Sequence, residues 1–129
     1  MKIVRASEIP YIPSSHEDQQ NPHVLKKVLF EKGDIAQGRV QMVNWAQLLP
    51  GKTFNAHYHE QMTEIFLIIE GVVEMSVNDQ ALTLTKGDAV IVEPREVHTM
   101  TNTTDSTIDY IVFGVVHADG GKTVVTAKS

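Results

Sequence analysis

Residues 51–71 read GKTFNAHYHEQMTEIFLIIEG, and this stretch decides the fold. His57 and His59 stand two apart in a β-prone run, so on a strand both imidazoles project from one face. Glu60 to Thr63 is a hairpin-length connection, and Glu64 follows on the next strand. Its face is shared with Phe66 and Ile68, which puts a carboxylate at the head of an apolar inward row. A buried charge needs a partner. A metal ion held by the two histidines would supply one. Gly51 and Gly71 bracket the unit where turns are required.

Working outward, the chain keeps the same texture. Short β-prone runs separated by turn residues occupy 24–30, 39–47, 53–59, 63–71, 72–77, 81–85, 89–93, 97–102 and 107–117. Pro50-Gly51, Asn78-Asp79 and Lys86-Gly87-Asp88 supply the breaks. No segment keeps a helical period. The reading is an all-β domain of at least eight strands in two antiparallel sheets, closed so that strand edges are hidden. No internal repeat is visible, so one barrel is expected. In GDAVIVEPREVHTMTN (87–102), His98 lies on another strand and shares a face with Met100 and Asn102. Three histidines and a glutamate converging at a barrel mouth leave coordination positions open. A nitrogen and oxygen donor set of this kind suits Mn, Fe, Ni, Cu or Zn without choosing among them.

The first stretch resembles the first motif of the cupin family: glycine, five residues, His-x-His, four residues, glutamate, six residues, glycine. Gly51, His57, His59, Glu64 and Gly71 match it without a gap. Gly87, His98 and Asn102 resemble the second motif. Two positions depart from it: Glu93 stands where proline is usual, with Pro94 next, and Arg95 stands where glycine is common. The resemblance spans roughly residues 36–117. It implies a double-stranded β-helix, or jelly roll, of two packed sheets that binds one divalent transition metal through His57, His59, Glu64 and His98. It also implies a homodimer, and Ile3, Val4, Ile9 and Ile12 in the arm could pack on a neighbour's sheet.

The flanks read differently. Residues 1–22 carry three of the five prolines and the polar run SSHEDQQN, and read as an arm. The barrel domain runs over 23–117. The polar tail 118–129 reads as disordered or as a late edge strand. With no cysteine, thiolate metal sites and disulfides are excluded. The formal charge of −5 and scattered basic residues give no nucleic-acid footprint. No apolar run is long enough to span a bilayer, and the N-terminus lacks a signal-peptide core, so the cytoplasm is the expected compartment.

Other residues divide by face. Trp45 shares a strand face with Arg39, Gln41 and Val43. Trp45 and Val43 are assigned to the core, and Arg39 and Gln41 to the cavity lining as substrate-binding candidates. Arg95, near the mouth, could hold an anionic substrate or be a solvated turn residue. Tyr58 should point away from the metal, and Tyr110 is undecided. His16, His23 and His117 fit no ligand spacing and read as surface or loop residues. The motifs offer no evident general base, so catalytic residues are not assigned. The expected function is a small metal-dependent enzyme (dioxygenase, isomerase or lyase) acting on an oxygen-rich small molecule. The alternative is a non-catalytic ligand-binding or sensor protein.

Overall fold

The structure is a computed structural model that describes residues 2–34, 39–118 and 121–129. Among them are eleven strands: β1 (Ile12–Pro13), β2 (Val24–Glu31), β3 (Val40–Leu48), β4 (Ala56–His59), β5 (Met62–Glu70), β6 (Val72–Val77), β7 (Gln80–Thr85), β8 (Ala89–Val92), β9 (His98–Thr101), β10 (Ile108–Val116) and β11 (Thr123–Ala127). Two single-turn 3-10 segments, Ala6–Glu8 and Lys32–Asp34, are the only helical pieces among the described residues. None is long enough to cross a membrane. The strands form a six-stranded sheet in the order β1-β2-β3-β10-β5-β8 and a five-stranded sheet in the order β11-β4-β9-β6-β7. Every pairing is antiparallel. This is the all-β jelly roll that the sequence predicts.

Period-two burial builds the core. In β5, Met62, Glu64, Phe66 and Ile68 are buried, and in β10, Ile108, Tyr110, Val112, Gly114 and Val116 are. They meet Phe54, Val73, Met75 and Met100 from the other sheet, each at most 2% exposed. Two turns follow from residue type. Asn78 and Asp79 both take positive φ (46° and 66°) between the paired Val77 and Gln80, the geometry of a two-residue hairpin loop. Gly71 has φ 105°, and a Cβ there would come within 2.9 Å of Ile108 Cγ1, so only glycine fits between β5 and β6.

One face assignment is corrected. Asn44, Ala46 and Leu48 of β3 face inward, whereas Val43 and Trp45 lie half-buried on the outer face. The outer face also carries Ile65, Leu67, Ile111 and Phe113, so both sides of this sheet are apolar and hydropathy does not mark the inside. Gln41 escapes the parity of Val43 because the register slips there: Met42 pairs with Gly114 and Val40 with Val115, leaving Gln41 bulged.

Candidate metal centre

His57 and His98 face each other directly as paired residues of β4 and β9. His59 follows on the same face of β4, and Glu64 comes from β5 in the opposite sheet. All four are buried, and one ligand atom from each lies within 4.8 Å of the others. Gly114 is paired with Glu64, and the Met62 side chain occupies the space that a side chain at 114 would need.

The hydrogen bonds show whether this set suits a cation. His57 Nδ1–H donates to the Asn55 carbonyl at 2.6 Å, and His98 Nδ1–H donates to the Glu96 carbonyl at 3.0 Å. His59 Nδ1 lies 2.7 Å from Thr123 Oγ1 on β11. With Nδ1 engaged outside the cluster, Nε2 is left to face its centre, as in the outer-shell support of histidine ligands. Glu64 Oε1 sits 2.8 Å from His59 Nε2 and 3.1 Å from His98 Nε2. A carboxylate and an imidazole lone pair at that separation need a cation between them, either a proton or a metal. The donor set therefore fits a divalent transition ion.

The electrostatics agree. Burial, and then the neighbouring His98 and His16 rings, push His57 down to about 3, so it stays neutral at ordinary pH. Burial pushes the Glu64 carboxyl up, but hydrogen bonds from His59 and His98 outweigh it and hold it well below the usual carboxylate range.

His57, His59 and Glu64 line one side of a cavity of about 790 Å³, with His98 buried behind them. Its walls are apolar at Val28, Ala46, Phe54, Phe66 and Val112, and polar at Lys26, Asn44 and Tyr110. Of the three expected substrate-binding residues, Gln41 lines this cavity. Arg39 and Arg95 are exposed and lie outside the lining. Arg95 adopts φ 68°, the left-handed conformation that favours the glycine its position resembles, and its N–H donates to the His59 carbonyl at 2.8 Å.

Sequence reading missed His16. Its ring stacks on His57 with centroids 4.5 Å apart and lines the cavity. It is held there by Glu17, a buried carboxylate that accepts from His16 Nδ1 (3.1 Å) and from the backbone N–H groups of Asn55 (2.9 Å) and His23 (3.0 Å). Burial alone would raise the Glu17 pKa. The His16 bond and the two backbone bonds overcome it and leave the carboxyl below its ordinary value. His23, by contrast, binds the Thr53 carbonyl, and His117 sits exposed against Thr63.

The family profile described as "Cupin domain" (Cupin_2) matches residues 44–114, more than half of the chain. No curated protein sequence matches it. Among solved structures, the chain resembles a predicted oxalate decarboxylase from Thermotoga maritima: TM-score 0.80, 22% identity, covering 90% of this chain and all of that one. It also resembles the polyketide cyclase RemF from Streptomyces resistomycificus: TM-score 0.79, 18% identity, covering 100% of this chain and 87% of that one. A third likeness is the Cupin_2 domain of an XRE family transcriptional regulator from Enterobacter cloacae: TM-score 0.66, 18% identity, covering 74% of this chain and 99% of that one. At such identities the likeness speaks for the fold alone.

Proposed function

The chain belongs to the cupin-domain family, and on that premise we propose that it is a small metal-dependent enzyme acting on an oxygen-rich small molecule in the barrel mouth. One divalent transition ion is held by His57, His59, Glu64 and His98. The observation that carries this reading is the cavity: three of the four donors, His57, His59 and Glu64, open onto a space large enough for a metabolite, and beyond them the lining Asn44 Oδ1 is buried with no hydrogen-bond partner among the described residues. A purely structural ion would sit in a closed shell. When bound, the ion would supply Lewis acidity or, if redox-active, dioxygen activation.

The chain's own residues do the rest. The Asn55 and Glu96 carbonyls fix the ring orientation of His57 and His98. Phe54 and Phe66 pack their rings against the ligand histidines and, with Val112, give the cavity its apolar wall. Burial, followed by the Glu64 and Glu17 charges, pushes the Tyr110 hydroxyl far above its ordinary pKa, so it serves as a donor and not as a base. The likeness to a regulator's cupin domain favours a second reading, a ligand sensor without turnover.

The test is metal analysis of protein purified without an affinity tag, together with oxygen uptake and product analysis on small hydroxy acids, keto acids and sugars. About one equivalent of metal and metal-dependent turnover are expected. Saturable ligand binding without turnover would transfer the assignment to the sensor, and absence of metal uptake would end both.

A further inference from the structure

Opposite the three histidines, the inner face of the six-stranded sheet, which also carries Glu64, presents three polar side chains that form no hydrogen bond or ion pair among the described residues. Lys26 of β2 pairs with Ala46 of β3, which pairs with Tyr110 of β10, so these three form one row across the sheet. Asn44 lies in the next row, opposite Val28 and Val112. All four of Lys26, Asn44, Ala46 and Tyr110 line the cavity. Asn44 is 5% exposed, and its Oδ1 is buried without a hydrogen bond. Such an orphan costs the fold free energy unless a ligand or water satisfies it. Burial, followed by the Glu64 and Glu17 charges, keeps the Tyr110 hydroxyl protonated, so it can only donate or accept as a neutral group.

Lys26 is half-buried, and burial is the only influence on its ammonium, lowering its pKa. No carboxylate pairs with it among the described residues. Glu31 and Lys32 also line the cavity, but both are exposed. An ammonium lodged in a cavity wall without a counter-charge is a ready anion site.

We infer that Lys26, with the Tyr110 hydroxyl as a donor, forms an anion-binding subsite across the cavity from the metal-ligating histidines, and that Asn44 Oδ1 accepts from a substrate hydroxyl, so that the substrate is a small hydroxylated acid with an anionic group at its far end. The inference rests on the reading of His57, His59, Glu64 and His98 as metal ligands. Lys26 stands three strands and two inward-facing rows from Glu64, and both line the same cavity of about 790 Å³, so the molecule that bridges them is small.

The test uses protein loaded with Zn²⁺, which is redox-silent, and measures ligand affinity by calorimetry. Lactate, malate and 2-hydroxyglutarate share one chelating hydroxy acid and differ at the far end. One of the two dicarboxylates should bind at least about tenfold tighter than lactate. In K26M that gap should close while lactate changes less than about twofold. Tartrate carries one more hydroxyl than malate, and any preference for it should disappear in N44L. 3-Phosphoglycerate distinguishes a phosphate from a carboxylate at the far end. A preference for it over the dicarboxylates assigns phosphate, the reverse assigns carboxylate, and either result supports the subsite.

Equal affinity of wild type for lactate and all three far-end anions, or a gap that survives K26M, would overturn the inference. A zinc titration run first separates the parent reading: no zinc uptake overturns the metal assignment. In that case, and if K26M does not fold, Lys26 is judged on wild-type protein by amine-modification mass spectrometry. Slower labelling of Lys26 in millimolar malate or phosphoglycerate supports the subsite, and an unchanged rate overturns it.

Discussion

Glu17→Gln should loosen the barrel mouth, and the structure says by how much. Glu17 is 7% exposed. Its Oε2 accepts from Asn55 N–H and His16 Nδ1–H, and its Oε1 accepts from His23 N–H. A glutamine keeps one acceptor oxygen and turns an NH₂ towards a donor, so one or two of three charge-assisted bonds are lost. At about 1.5–3 kcal/mol each, the variant should be destabilised by about 1.5–6 kcal/mol at pH 7. The folded pKa of Glu17 lies below its unfolded value, so this carboxylate's contribution is complete above the ordinary carboxylate pKa of 4.5. It declines as pH falls below that and is gone once pH passes the lower folded value. Urea unfolding of wild type and E17Q at pH 7 and in steps down to pH 3 measures both effects. The gap should be full at pH 7 and narrow on acidification. Equal stability at pH 7, or a gap indifferent to pH, would refute the account of Glu17 as the ionised clasp of the arm.

Four further outcomes are expected. His57→Ala/His59→Ala should take up no metal, and chelation should lower the melting temperature of wild type but not of this variant; equal metal content in both proteins contradicts the ligand assignment. His57 has a folded pKa of about 3, below its ordinary 6.5. Metal-free protein should therefore lose stability as pH falls from about 6.5 towards 3, and His57→Gln should flatten that slope in denaturant titrations. Gly71→Ala should cost at least about 1–2 kcal/mol, from φ 105° and the approach to Ile108, read as a lowered unfolding midpoint. A homodimer is expected, because Ile3 and Ile12 are exposed and the outer face around Val43 and Trp45 is apolar. Light scattering that finds only the 14.3 kDa monomer at micromolar concentration removes it.

What could be read from the chain was whatever local spacing encodes. The interval His57, His59, Glu64 puts donors on inward faces because a strand has period two, and glycine or Asn-Asp at the turns leaves little freedom in where strands end. That Trp45 faces outward could not be read, because a sheet apolar on both faces gives parity no meaning, while Gln41 reaches the cavity lining expected of it through a bulge that resets the parity. His16 and Thr123 reach the cluster from 41 and 66 residues away from His57 and belong to no motif; His98 is as remote, but the second motif announces it. Lys26 was invisible for the same reason. A lysine on a β-prone run looks solvated until the sheet order turns its face inward.

The sheet order has a consequence for biosynthesis. β10 (Ile108–Val116) lies between β3 and β5, yet it is made after both. Until residue 116 leaves the ribosome, β3 and β5 each lack their shared neighbour, and two strands apolar on both faces present open edges. Pairing across such sequence separations closes slowly. The nascent chain therefore passes through a window in which strand-to-strand association with other chains competes with folding, and C-terminal truncations before β10 should aggregate instead of forming a smaller barrel.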